Sequence, residues 1–191
     1  MRAGRLIGIA LAAAAFTMAA PASAQPAIHL QSTDSVGPRA LEPQTERSVV
    51  RGYLESWKAL NQAMENNRPE LLAATFLGDA KDKLTATIQE QRSAQISTSY
   101  HDRSHDLQIV FYSPEGLSIE LLDTVSYDVE IRCRGRLLGT QHIQARYLAV
   151  LTPTEVRWKV RVFQSDPAQA SRSAALSPAR TIQVRTQGAL E

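Results

Sequence analysis

Asp123 is the residue whose type and place first suggest chemistry. It stands in the stretch Leu117–Cys133, whose alternate positions read Leu117, Ile119, Leu121, Asp123, Val125, Tyr127, Val129, Ile131 and Cys133. The residues between them are Ser118, Glu120, Leu122, Thr124, Ser126, Asp128, Glu130 and Arg132, of which only Leu122 is apolar. A period of two marks a long strand with one buried and one wet face. Asp123 is the single acid on the buried side. Desolvation of an unpaired carboxylate is costly and raises its pKa, which makes it a candidate acid or base. The commoner outcome is a β-bulge: one extra residue at Leu122 turns Asp123 outward and leaves Leu122 inside.

A second group is His101-Asp102-Arg103-Ser104-His105-Asp106. Two histidines and two aspartates are metal-ligand types. In an extended chain, however, His101 and His105 stand ~13 Å apart, too far to share one ion. The expectation is a solvated loop before a strand, with no metal and no cofactor. A third group is basic: Arg157, Lys159 and Arg161, together with Arg132, Arg134 and Arg146. Glu120, Asp128 and Glu130 are available across the sheet, so ion pairs on a wet face are the expectation. The chain has no Gly-rich phosphate loop, nucleophile elbow or zinc motif.

The chain opens on Arg2 and Arg5, an apolar run from Leu6 to Ala20, and Ala22-Ser23-Ala24. This reads as a signal peptide over residues 1–24 with the mature protein starting at Gln25, hence a periplasmic or secreted location. The 21 Lys and Arg face 19 Asp and Glu; removing Arg2 and Arg5 leaves 19 against 19. A neutral chain gives no electrostatic reason to expect nucleic acid, and no later apolar run is long enough to span a membrane. Cys133 is the only cysteine, so there is no internal disulfide and stability must come from a core.

Residues 25–44 carry Pro26, Pro38 and Pro43 and no periodicity, and read as a flexible leader. Residues 166–191 have few large apolar groups and read as a disordered tail, with at most a weak strand at Thr181–Arg185. The domain is residues 45–165. It starts with a helix over 46–66 whose stripe is Val50, Tyr53, Leu54, Trp57, Leu60 and Met64. A short helix from Pro69 to Leu77 comes next, stopped by Gly78. Asp79 caps a third helix over 80–93. Then come strands: Leu107–Tyr112, the long strand, His142–Thr152, and Glu155–Gln164 with Val156, Trp158, Val160 and Val162 inward. Turn chemistry lies at 113–116, 134–139 and 153–154.

This order resembles the nuclear-transport-factor-2-like superfamily, in its SnoaL and ketosteroid-isomerase-like branch. The resemblance rests on Tyr53 to Leu60, the Pro69-to-Gly78 segment and Arg157-Trp158-Lys159-Val160. It implies an α+β fold with three N-terminal helices packed in a curved antiparallel sheet, a cone-shaped barrel with a pocket at its wide end. It also implies that Tyr53 and Asp123 take the roles of a pocket tyrosine and acid, without a separate base. Trp57, Tyr127, Tyr147 and Trp158 are candidate pocket walls; aromatics at such spacing are more often core. The leading expectation is a non-catalytic binding or interaction module, its partner a small apolar ligand or an envelope protein. The alternatives are an isomerase- or hydratase-type enzyme using Asp123 and Tyr53, and a structural component of an envelope assembly.

Overall fold

The structure is a computed structural model that describes residues 25–31 and 37–165. The segments read as a signal peptide (1–24) and as a tail with at most a weak strand at 181–185 lie outside the described residues.

Helix α1 (Pro43–Asn66) begins on Pro43, where a missing N–H costs nothing. Its buried stripe is Val49, Tyr53, Trp57, Leu60, Ala63 and Met64. Gly52 lies on the same face because the helix runs against the last strand. A Cβ there would stand 2.9 Å from the Trp158 carbonyl oxygen. Asn67 ends the helix in the left-handed region at φ 52°. Its amide donates to the Ile96 carbonyl at 2.8 Å and accepts from Gln91 at 2.8 Å, tying three elements together. The expected short helix is a 3₁₀ helix, Pro69–Ala74, and α2 runs from Gly78 to Ser93. No side chain caps α2: Leu77 is its N-cap, and Asp79 sits inside its first turn, paired with Lys83.

The sheet contains β1 (Ala27–Leu30), β2 (Ile96–Tyr112), β3 (Ile119–Cys133), β4 (Arg136–Pro153) and β5 (Trp158–Ser165), in that spatial order. β1 pairs parallel with β2 and every other pairing is antiparallel, so the sheet is mixed. It is also open. Closing a sheet into a barrel requires the two edge strands to meet, and here β1 and β5 lie at opposite ends of the order. The expected cone-shaped antiparallel barrel is therefore corrected to helices packed against an open mixed sheet, which is still an α+β fold. The stretch read as a leader supplies β1, so a strand precedes the first helix.

One-residue slips decide which side chains meet the helices. In β2, Asp102 pairs with Tyr127 and Ser104 with Ser126, leaving Arg103 as an extra residue. Further along the same strand, Ile109 pairs with Leu121 and Phe111 with Glu120, making Val110 extra. Ile131 pairs with Gly139 and Arg132 with Leu137, making Leu138 extra in β4. Val150 pairs with Val162 and Leu151 with Val160, making Arg161 extra in β5. Each slip exchanges the two faces beyond it. In β2 the second slip buries Tyr112 and leaves Val110 exposed. In β5 the slip leaves Trp158 and Val160 buried but turns Phe163, not Val162, toward the core. Val156 was expected inward; it precedes the strand and is 81% exposed.

Candidate active site

The slip at Arg103 builds the site. Asp102 and His105 are three residues apart, so an unbroken strand would put them on opposite faces. The extra residue brings both to the helix side of β2. His101, before the slip, points the other way and lies half-exposed, 3.6 Å from Glu130. The two histidines therefore share no site. The expected loop over 101–106 is part of one 17-residue strand.

β3 carries no bulge beside Leu122. Leu122 pairs with Gln108 and Asp123 with Leu107 in continuous register. Asp123 thus keeps its inward parity and is 0% exposed. The outward turn that sequence analysis favoured does not occur, because the extra residues fall in β2 instead. Two groups meet the Asp123 carboxylate. The Tyr53 hydroxyl of α1 donates to Oδ2 at 2.9 Å, and His105 Nδ1 lies 2.7 Å from the same oxygen. Burial, and then the neighbouring Asp123 charge, push the Tyr53 hydroxyl well above its ordinary pKa, so it stays protonated and remains a donor.

His105 is also fully buried. Burial alone would lower its pKa. Asp102 and Asp123 outweigh that and push it up to about 9. At neutral pH the ring is therefore an imidazolium held between two carboxylates, with Nδ1–H donated to Asp123. Nε2 stands 3.7 Å from Asp102 Oδ2, near enough for charge but too long for a hydrogen bond. Among the described residues it has no hydrogen-bond partner, and neither have Asp102 Oδ1 and Asp123 Oδ1.

His105 and Asp102 line a pocket of about 280 Å³ whose walls include Ile28, Leu54, Trp57 and Lys58. Ile28 comes from β1, so the segment before the helix closes one side. Trp57 is packed edge-on against His105, with ring centres 5.4 Å apart. Behind it lie Tyr127, Tyr147 and Phe163, at 5.8, 5.3 and 5.5 Å from its ring. The Tyr127 and Tyr147 hydroxyls hydrogen-bond each other at 3.0 Å, and burial raises both pKa values. Of the four aromatics expected as pocket walls, Trp57 lines this pocket and Tyr127 and Tyr147 back it. Trp158 packs instead on Tyr112 and beneath Gly52.

Sequence reasoning brought Tyr53 and Asp123 together and missed His105. The signal was present: stepping back by two from Ile109 and Leu107 reaches His105. The polar look of residues 101–106 hid it. The basic group disperses. Arg132 pairs with Glu130, Arg157 with Glu55, and Lys159 donates to the Ala73 carbonyl.

No family model and no curated protein matches the chain. Among solved structures, it is similar to the intermembrane-space region of the chloroplast protein ARC6. That match has a TM-score of 0.53 and 14% identity, over 67% of this chain and 98% of that one. A lower similarity is to Aln2 from Streptomyces, with TM-score 0.48, 12% identity, and 71% and 99% of the two chains covered. An NTF-2-like protein from Shewanella oneidensis matches at TM-score 0.39 and 8% identity, over 61% of this chain and 97% of that one. These are distant likenesses of fold, and none of them states what this chain does.

Proposed function

We propose that the chain is a small-molecule enzyme of the isomerase or hydratase type, in which His105 and Asp102 exchange protons with a substrate held against Trp57. The observation that carries this reading is a buried histidine and an aspartate, three residues apart, that both line one pocket. His105 is an imidazolium whose Nδ1 is held by Asp123, and Asp102 is a carboxylate 3.7 Å from its Nε2. Asp123 and Tyr53 are positioning residues: they fix the ring and its tautomer and do not touch substrate. The pair favours this reading over the non-catalytic binding module expected first.

The geometry suits loss or gain of water across adjacent carbons of a β-hydroxy carbonyl compound. Asp102 takes the proton beside the carbonyl, and His105 Nε2 gives its proton to the departing hydroxyl. The C–H and C–O bonds break, the C=C bond forms and water leaves. Proton transfer from Asp102 to the neutral His105 then restores both groups. Return of the first proton to a different carbon would make the same site an isomerase. A pocket of about 280 Å³ sits at the lower edge of the range of roughly 300–1,000 Å³ for small-molecule sites, so the substrate is small. The signal-peptide reading of residues 1–24 adds a periplasmic or secreted location to this proposal.

The test uses 3-hydroxycyclohexanone and cyclohexenone in heavy water, following deuterium uptake by NMR and enone absorbance. Wild-type protein should exceed free imidazole at equal concentration, and His105→Gln should lose at least about a hundredfold of the excess. Rates equal to those of free imidazole for both proteins would contradict the reading.

A further inference from the structure

Part of β4 has a neighbour on one side only. β3 pairs with it from Arg136 to Leu151, but β5 pairs with it only from Tyr147 to Pro153. From Gly139 to Arg146 the register with β3 is unbroken. Along that stretch a row of backbone N–H and C=O groups faces away from β3 with no strand against it among the described residues. Such an edge is a template for another strand, and proteins usually blunt it with Pro, Lys or a charge. Thr140-Gln141-His142-Ile143-Gln144-Ala145 contains no Pro, no Lys and no acid.

Across β3 from this edge, Asp128 and Glu130 are taken up by Arg103, His142 and Arg132, and the charges left without an ion pair at its two ends are basic. Arg146 stands at one end, and Arg134 and Arg136 stand beyond the other. None of these three makes an ion pair among the described residues, whereas Arg103, Arg132 and Arg157 all do. The slip at Leu138 turns the strand toward a recess of about 460 Å³ lined by Ala94, Gln95, Cys133, Arg134, Arg136 and Leu138. A recess lined by Leu138, Cys133 and two arginines, of which Arg134 also donates to Gln95, fits a carboxylate on a short aliphatic stem.

We infer that the edge Gly139–Arg146, with this recess, binds an extended acidic segment of a partner protein by strand addition. Backbone hydrogen bonds supply affinity. Carboxylates near the two ends of the segment meet Arg146 at one end and Arg134 and Arg136 at the other. A second copy of the chain is the competing occupant of such an edge, and the concentration dependence of amide exchange separates it. The chain's own residues 166–191 carry Arg172, Arg180 and Arg185 against Asp166 and Glu191, the wrong balance for this edge. The inference is independent of the chemistry proposed at His105.

The test uses the full chain and a fluorescent peptide of alternating Val and Thr ended by Glu, read by anisotropy. A Lys-ended twin and a twin N-methylated at alternate residues serve as controls. The Glu-ended peptide should bind at least about tenfold more tightly than the Lys-ended one, and added salt should weaken it. N-methylation should abolish binding, because it removes the peptide's edge donors. Arg136→Glu with Arg146→Glu should reverse the preference. Equal affinity for Glu and Lys ends, an unchanged preference in the double variant, or full binding of the methylated peptide would each overturn the inference. Amide exchange in the free chain, read only at the alternate residues of 139–146 whose N–H groups face away from β3, checks the other occupants. Protection at every concentration would mean that the chain covers its own edge, and protection growing with concentration would mean a second copy; either overturns the inference.

Discussion

The sheet holds two histidine–aspartate pairs of nearly equal length in opposite surroundings. His105 Nδ1 lies 2.7 Å from Asp123, and His142 Nδ1 lies 2.9 Å from Asp128. Asp123 and Asp128 are five residues apart on β3, so they point to opposite faces. In the inner pair the side chains are 1% and 0% exposed; in the outer pair, 56% and 21%. Asp128 also accepts from Arg103, and the Arg103 and His142 hydrogen bonds lower its pKa. Water competes for every member of the outer pair, whereas members of the inner pair have only each other, Tyr53 and Asp102. The comparison teaches that residue type and distance do not make a site here. Parity along the strand does, because it decides which pair loses its water.

The strongest way to break that comparison is to remove each aspartate. Asp123→Ala strands the imidazolium and the Tyr53 hydroxyl inside the core and should cost about 3–5 kcal/mol in chemical denaturation. Asp128→Ala should cost far less, because water replaces its partners on the wet face. Equal losses would mean that the faces do not differ in the way described. A somewhat smaller effect should appear with pH. The folded pKa of His105 lies above its ordinary 6.5, at about 9. Its stabilisation is therefore fully present below pH 6.5 and fades as pH rises through about 9, on the order of 3 kcal/mol in all. Asp128 works at the other end of the scale. Its pKa is lowered, so its contribution is present above the ordinary carboxylate range and is lost as pH falls through that range. The gap between His105→Gln and wild type should thus close as pH rises through about 9, and the gap between Asp128→Asn and wild type should close in acid. Smaller again is Tyr53→Phe, which removes one hydrogen bond to a buried carboxylate and should cost about 1.5–3 kcal/mol. Arg103→Ala, the matching deletion on the outer face, should cost less than about 1 kcal/mol.

Much of the fold was legible because its signals are periodic. The α1 stripe through Tyr53, Trp57, Leu60 and Met64 and the alternation of β3 both carry through to burial. The slips were not legible. Arg103, Val110, Leu138 and Arg161 have no composition that marks them as extra residues, and each inverts the faces of the residues beyond it. Sequence reasoning looked for one bulge in β3 at Leu122, whereas the one that matters lies opposite, in β2. That displacement kept Asp123 inside and brought Asp102 round beside His105. β1 was hidden for another reason: its four residues are all exposed, so no pattern records their pairing. Nor does any local signal say whether the two edges of a sheet will meet: the closed barrel was expected from the family resemblance alone, and the sheet is open.

Asp123 holds His105 as an imidazolium whose other nitrogen lies 3.7 Å from Asp102. Nitrogen-detected NMR of the His105 ring, titrated from pH 5 to 11 in wild type and in Asp123→Asn, tests it directly. Expected are two ring protons at pH 7, one bonded toward Asp123, a midpoint at about 9, and a clear fall in that midpoint in the variant. A ring that is neutral at pH 7, or a midpoint that Asp123→Asn leaves unmoved, would contradict it.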